Sequence, residues 1–332
     1  MALFSRRGKG DEPAGGEPDA TEPDAPASSD ASDPTGGESP ALGGEVVPEV
    51  GISISTFGKP AASARPAAQP PAATQAVPGL PDNVIVKNAL AALPETPRNT
   101  DVMNVMRQAL QGHLYVRVQG DAKALLAEGQ NLTLAVTAIE DKRFLLAFTG
   151  GTALQDSVRA DGDTATSAIG QPTATIFQNV VAGPYAGLFL DHATSGARII
   201  LPSELIGKAL EESDPAFTLK TLLVSERAAD TNAKVVDALT RVPVWVAGNA
   251  DESGRIGLAE ARSTDGRRRL EIFSHPLEVI ALGRGDRPLP LTGEQLGKAL
   301  ASDAGITGVV VDPAGPWIEL DRTDLAPVIA LA

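Results

Sequence analysis

From residue 81 onward, hydrophobic residues recur every three to four positions, as on a helix, or every second position, as on a strand. Two helices are predicted first, over 82–92 and 100–111, with Asp82 and Thr100 as N-caps. The elements predicted to follow are strands 114–118, 131–139 and 143–148, short helices from 149 and over 173–181, strands 187–191 and 197–201, and a helix over 203–211. Residues 161–171 are polar and are predicted to form a loop.

The same order of elements is predicted a second time after residue 213. Its members are helices 217–224 and 231–240, strands 242–248, 255–261 and 267–273, a short helix from 274, a helix 293–301, strands 308–312 and 316–320, and a helix 322–330. Asp265-Gly266 is typical of a hairpin turn, Thr292 with Gln295 is typical of a capping box, and 281–290 is predicted to be a loop.

The two halves also match along their sequences. The matched pairs are Lys87 with Lys220, HLYVRV (113–118) with VPVWVA (242–247), DKRFLLAFTG (141–150) with GRRRLEIFSH (266–275), and AGLFLDHATSGARIIL (186–201) with TGVVVDPAGPWIEL (307–320). The offset between the halves falls from 133 to 121 residues as loops shorten. We therefore predict a tail over 1–80 followed by a duplicated domain, with a first unit over 81–213 and a second unit over 214–332.

Short connections between predicted strands favour antiparallel neighbours. Each unit is therefore predicted to be an α+β domain with a mainly antiparallel sheet of about five strands, covered on one face by helices. The duplication also provides an internal control, because a residue needed for chemistry in both units should recur in both. Almost no reactive residue recurs.

The tail over 1–80 is rich in Ala, Pro, Gly, Ser, Asp and Glu. Such a composition offers too little apolar surface to offset the entropy lost on ordering, so the tail is predicted to be intrinsically disordered. One less polar stretch, GISISTFG (51–58), alternates apolar and hydroxyl residues. Two interpretations of this stretch stay open: a strand that adds to the sheet edge of a partner, or a plain linker.

Charge and composition narrow the class of partner. Residues 1–80 hold 11 acidic and five basic residues, and residues 81–332 hold 31 and 23. Both parts are acidic, which argues against nucleic acid as a partner. The sequence has no apolar run of the roughly 18 residues that a membrane span needs, and its first residues lack the apolar run of a secretion signal. It has no cysteine, which excludes disulfides and thiolate chemistry and favours a cytoplasmic location.

The order of short motifs in both halves resembles the SseB protein N-terminal domain of bacteria. The segments that carry the resemblance are LLAFTGGTAL, LEIFSHPLEV, GLFLDHATSGARIILPSEL and GVVVDPAGPWIELDRTDL. Where the family pattern favours Asn-Pro, this chain has Asp191-His192 and Asp312-Pro313. An Asp can replace an Asn that caps a turn, because both side chains bond the nearby backbone. The resemblance implies two tandem copies of a soluble bacterial domain, with no settled catalytic activity.

Asp191 and Asp312 are the acidic residues that recur at matched strand ends, and Thr149 and Ser274 also match. A strand-end acid can be a general base or a metal ligand, but a turn-capping role is the favoured interpretation. The two hydroxyl residues are interpreted as helix caps, because the chain lacks the G-x-S-x-G pattern of a serine nucleophile.

The three histidines are His113, His192 and His275, and none has metal-ligand spacing to another histidine or to an acidic cluster. They are predicted to be surface or turn residues. The sequence therefore predicts no catalytic, cofactor or metal site.

Two groups of residues are candidates for an interaction surface. Arg267, Arg268 and Arg269 lie beside the predicted hairpin turn, where an acidic partner or the acidic tail can dock. Trp245 and Trp317 fall within predicted strands of the second unit. We expect one tryptophan in the core, and expect Trp317 to mark a contact surface, because aromatic residues are enriched at interfaces.

These observations favour a non-catalytic, cytoplasmic bacterial protein that acts as an interaction or regulatory module with a protein partner. The alternative is a small-molecule binder or hydrolase with a site in the groove between the two units. Matched polar residues facing that groove would favour the alternative, and a broad apolar patch would favour a protein partner. The sequence leaves the oligomeric state open.

Overall fold

The computed structural model describes residues 67–250, 256–262 and 266–332. The segment GISISTFG and Asp265 of the predicted hairpin turn lie outside the described residues.

The first unit contains six helices and six strands among its described residues. They are α1 (Val84–Ala91), α2 (Asn99–Ala109), β1 (His113–Gln119), α3 (Ala122–Ala127), β2 (Val136–Ile139), β3 (Lys142–Phe148), α4 (Gly151–Asp161), β4 (Thr166–Pro172), α5 (Thr173–Ala182), β5 (Gly187–Leu190), β6 (Ile199–Pro202) and α6 (Ser203–Glu211).

The second unit repeats most of this order. Its described elements are α7 (Thr218–Val224), α8 (Thr231–Leu239), β7 (Val244–Ala250), β8 (Ile256–Leu258), β9 (Glu260–Arg262), β10 (Arg268–Phe273), α9 (Pro276–Ala281), β11 (Arg287–Leu291), α10 (Gly293–Ser302), β12 (Ile306–Val311), β13 (Ile318–Asp321) and α11 (Ala326–Ile329).

The two sheets have the same strand order. It is β4-β1-β3-β5-β6 in the first unit, with β2 paired to β3, and β11-β7-β10-β12-β13 in the second, with β8 paired to β7 and β9 to β10. The pairs β3–β5 and β10–β12 are parallel, and the other described strand pairs are antiparallel. The prediction of two tandem α+β domains with mainly antiparallel sheets is confirmed, and each main path has five strands.

Two segments predicted to be loops are edge strands. Residues 166–172 form β4 and residues 287–291 form β11, each paired on one side only. β4 is half-buried or exposed along its length, so its sequence lacks the apolar run of an inner strand. β11 contains two prolines, which an edge strand tolerates because one row of its N–H groups needs no partner.

The caps of the first two helices also differ from the prediction. Asn83, rather than Asp82, caps α1, since its side chain accepts a bond from the amide of Val86. Arg98, rather than Thr100, is the N-cap residue of α2. The capping box of Thr292 and Gln295 at α10 is confirmed.

Each sheet is covered on both faces, so the expectation of one covered face is wrong. On one face of the first sheet, α1, α2, α5 and α6 bury Leu145 and Ala147, whereas Leu146 and Phe148 pack against α4 on the other. All four residues belong to β3, and a strand with apolar residues at successive positions has two faces to bury. In the second unit α9 takes the place of α4.

Order was predicted to start near Pro81, but the described structure begins earlier, at residue 67. The amide of Asp82 donates to the carbonyl of Thr74 over 2.8 Å, and the Thr74 hydroxyl donates to the Asp82 carboxylate over 2.6 Å. Val77 lies so close to α4 that a Cβ added at Gly151 would meet its side chain at 2.4 Å. Tertiary contacts therefore order this stretch despite its composition.

Candidate functional site

Asp191 and Asp312 make the same contacts in the two units. Asp191 accepts hydrogen bonds from the Thr149 amide over 2.8 Å and from its hydroxyl over 2.6 Å. Asp312 accepts from the Ser274 amide over 2.7 Å and from its hydroxyl over 2.6 Å. Each contact links the ends of two neighbouring parallel strands.

Both aspartates are closed to solvent, with exposed fractions of 3% and 1%. Burial raises the pKa of Asp191 to about 6, against the opposing effect of its bonds with Thr149. Burial, and then the charge of Glu278, raise the pKa of Asp312 to about 6. The left-handed backbone, with φ of 47° and 51°, suits short polar side chains that cap turns. Each carboxylate bonds to the residue that follows the neighbouring strand, Thr149 or Ser274, rather than to its own turn, and neither carboxylate is accessible to a substrate.

The matched lysines each hold a carboxylate near the start of α4 or α9. Lys87 Nζ lies 2.9 Å from Asp82 Oδ2, and a Cβ at Gly150, the N-cap of α4, would meet that aspartate. Lys220 is bonded to Glu278 in the first turn of α9. The lysine recurs because both units need a cation at this place, while its acidic partner comes from a different element in each.

Glu278 joins the two units. It is fully buried and forms ion pairs with Lys220 and with Arg107 of α2, whose Nη1 lies 2.8 Å from Oε2. Burial alone would raise the pKa of Glu278, but Lys220 and Arg107 together hold it below its usual value. Sequence analysis missed this cluster, because Lys220 was its one matched member.

His275 and Leu277 also cross between the units. His275 Nδ1 accepts from the Leu277 amide over 3.1 Å and caps α9, and Nε2 lies 3.1 Å from the Ala209 carbonyl, to which it donates. Leu277 packs within the hydrophobic core of the first unit. His275 is 2% exposed, so the expectation that it lies at the surface is wrong.

Burial lowers the pKa of His275 to about 4, against about 6.5 in an unfolded chain. Below about pH 6.5 the unfolded chain takes up a proton that the folded one does not, so stability falls between about pH 6.5 and 4, by up to about 3 kcal/mol. We expect His275→Asn, which can retain the helix cap, to be less stable than wild type at pH 7 and to close that gap as the pH falls. Denaturant midpoints at pH 7, 6 and 5 measure this difference, and a constant gap would contradict it.

A cavity that lies between the units is too small for an organic ligand. Its volume is about 10 Å³, and it is lined by residues of both units. That volume matches about one water molecule. The polar side chains that line it already have partners elsewhere in the protein, so no observation favours a small-molecule or hydrolase site in this groove.

A larger cavity of about 90 Å³ lies on the α9 face of the second sheet. We call it the Trp317 groove, and it is lined by Ala261, Glu271, Val310, Pro313, Trp317 and Glu319. Sheet register aligns Glu271, Val310 and Glu319 in one row.

The corresponding row of the first sheet is apolar. It consists of Leu146, Phe189 and Ile200. The 11-residue helix α4 packs over this face, whereas α9 has six residues. A shorter helix and a more polar row therefore open the groove in the second unit.

The carboxylates that line the Trp317 groove are paired within the protein. Glu271 is bonded to Arg284, and Glu319 Oε2 lies 3.5 Å from Arg269 Nε. Val310, Pro313 and Trp317 supply the apolar part of the lining. The groove therefore combines apolar side chains with carboxylates that already have partners.

The three consecutive arginines make separate contacts. Arg268 forms ion pairs with Glu260 and Asp303, Arg269 is buried and donates to the Asp321 carboxylate over 2.7 Å, and Arg267 is exposed. Arg267 Nη1 lies 3.9 Å from Asp321 Oδ1, so all three guanidinium groups lie near carboxylates of the second unit.

Trp245 is half-buried and lies beside Phe273 in the sheet, as Tyr115 lies beside Phe148. Trp317 is half-buried as well, so neither tryptophan is fully buried in a core. His113 lies 3.2 Å from the Pro81 carbonyl, and His192 stacks edge-on against two phenylalanines. Within the described ranges no group of histidine, aspartate and glutamate residues is arranged to hold a metal ion.

Comparison with known families agrees with this duplicated architecture. The model of the SseB protein N-terminal domain matches residues 86–206 and again residues 219–326. The matches cover more than half of the chain, which therefore belongs to the SseB family and carries two tandem copies of this domain. No curated protein and no solved structure matches the chain. Among the described residues, no helix has the length and apolar character to span a membrane.

Proposed function

We propose that this protein is a non-catalytic module that binds a protein partner in the bacterial cytoplasm, through the Trp317 groove. The observation that carries the proposal is the difference between the two sheets. The first unit fills its α4 face with apolar side chains and a long helix, and the second unit leaves a groove at the same place. The cysteine-free composition supports the proposed compartment.

The matched polar residues support a non-catalytic role. Asp191 and Asp312 are buried and bonded to their matched hydroxyl residues, and Lys220 is neutralised by Glu278. Each has a structural partner that satisfies its charge or its hydrogen bonds. A nucleophile or base needs access to a substrate, which these groups lack.

A site-specific photo-crosslink tests the proposal. Trp317 is replaced by benzoylphenylalanine in the full chain, which is expressed in its native host and irradiated. We expect discrete protein adducts, because a residue that lines an occupied groove lies within reach of its partner.

The matched control carries benzoylphenylalanine at Arg198, which occupies the corresponding place before β6 in the first unit. Adducts at position 317 that are absent at 198, and that fade in a second variant with Val310→Lys in the groove lining, support the proposal. The same adducts at both positions, or none at 317, would contradict it.

A further inference from the structure

The outermost strand β4 leaves one row of backbone groups open. The Thr173 amide donates to the Gly112 carbonyl over 3.1 Å at one end of the β1–β4 ladder, and the Gly120 amide donates to the Ala165 carbonyl over 2.8 Å at the other. Bonded pairs alternate along an antiparallel ladder. The two end bonds therefore fix which residues of β4 face β1.

Ser167, Ile169 and Gln171 of β4 bond to β1, so the N–H groups of Thr166, Ala168 and Gly170 point away from it. Among the described residues, no hydrogen bond from these three amides is present. Gly170 is exposed and the other two are half-buried. The edge of the first sheet can therefore accept another strand.

The same edge of the second sheet is blocked by proline. Pro288 and Pro290 of β11 lie opposite Ala247 and Trp245 of β7. Ala168 and Gly170 take these two places in the first sheet, opposite Arg117 and Tyr115. Proline has no N–H, so β11 offers no donor at either place, and prolines of this kind protect sheet edges. The first unit has the same edge without this protection.

The N-terminal stretch of the chain passes close to this edge. The Tyr115 hydroxyl donates to the Pro81 carbonyl over 3.0 Å. The ring of Tyr115 lies against Gly170, where an added Cβ would meet it at 3.2 Å. Pro81 therefore lies within about one tyrosine side chain of the open edge. From there the described chain runs back to Ala68, whose carbonyl accepts a hydrogen bond from Arg227 of the second unit over 3.3 Å.

One segment of the tail matches what this edge can accept. GISISTFG (51–58) alternates side chains at the strand period, contains β-branched residues and lacks proline and charge. It is thus not repelled by the acidic folded part of the chain. Gly58 is 10 residues from Ala68, and that length spans roughly 33 Å when extended.

We propose that residues 51–58 add to β4 of their own chain as an extra strand, bonding to the backbone of Thr166, Ala168 and Gly170. The short tether gives this segment an effective concentration near the edge that a separate molecule lacks. When residues 51–58 occupy the β4 edge, they cover the edge that prolines do not protect. A partner strand then has to displace the tail before it can pair with β4. This inference is independent of the Trp317 groove.

Hydrogen exchange of the full chain, read at single amides, tests the inference. We expect the amides of Ala168 and Gly170 to exchange at least about tenfold more slowly in the wild type than in an Ile54→Asp variant, because an aspartate disfavours the added strand. The amide of Ile169 bonds to β1 and serves as the internal control, with equal protection in both proteins.

Ala168→Pro is the second variant. It copies Pro288 of the second unit, so the fold tolerates it, and it removes the central donor of the edge. We expect residues 51–58 and the Gly170 amide to lose their protection while Ile169 keeps its own.

Three results would overturn the inference. The first is equal exchange of Ala168 and Gly170 in the wild type and in Ile54→Asp. The second is protection of residues 51–58 that persists in Ala168→Pro, which would place the segment elsewhere. The third is protection of the edge that grows with protein concentration, which would assign the edge to a second copy of the chain.

Discussion

Glu278→Ala is expected to lower the free energy of unfolding by about 3–5 kcal/mol. The substitution leaves the guanidinium of Arg107 and the ammonium of Lys220 buried without their counter-charge, and an uncompensated buried charge is costly. The loss affects both units, because Arg107 belongs to the first and Lys220 to the second. Denaturant unfolding at pH 7 measures it.

The matched control is Glu294→Ala. Glu294 lies in the first turn of α10 and pairs with Lys298 on the surface, where each side chain is more than half exposed. Exposed pairs of this kind contribute little to stability, because solvent screens the two charges. A Glu278 variant that loses no more stability than this control would show that the cluster does not hold the units together.

Asp312→Asn is expected to stabilise the protein above pH 7, by roughly 1–3 kcal/mol. The pKa of Asp312 in the folded state is about 6, above the value near 3.9 in an unfolded chain. Stability from the protonated carboxyl is therefore complete below about pH 4 and is lost as the pH rises through 6. Asparagine can keep hydrogen bonds to Ser274 without carrying a charge, and it suits the left-handed backbone at this position.

Urea midpoints from pH 4 to 8 measure this difference. The gain of Asp312→Asn should vanish towards pH 4, and Asp191→Asn should behave in the same way because its pKa is also raised to about 6. Asp312→Leu, which removes the hydrogen bonds to Ser274, should be destabilised at every pH. If Asp312→Asn is less stable than wild type at pH 8, the carboxylate contributes more through its bonds to Ser274 than it costs by burial.

Residues that recur in both units were easier to identify from the sequence than residues that do not. Asp191 and Asp312 recur in sequence at matched strand ends, whereas their bonds to Thr149 and Ser274 depend on strand pairing. Glu278 corresponds to no acidic residue in the first unit, and Arg107 lies 171 residues away from it. Nothing local marks such a pair, because the contact exists only once the two units dock.

Sheet edges and strand faces also differ in how far the sequence predicts them. β3 was predictable from its apolar run and β10 from its match to β3 in the duplicated sequence, whereas β4 and β11 are largely half-buried or exposed, contain glycine or proline and resemble loops. Likewise, Trp317 was identified as a candidate from residue type alone. Its groove depends on the length of α9 and on the residues that sheet register places in its row.

The sequence by itself determined the duplication, the α+β class and the membership of the SseB family, because these depend on the order and period of hydrophobic residues along the chain. Only the tertiary structure decided that Glu278 and His275 are buried between the units and that the stretch 67–80 makes ordered contacts. It also decided that one sheet edge is open where the other carries prolines. These properties depend on distances between residues far apart in the chain, and such distances are set by docking and register rather than by local pattern.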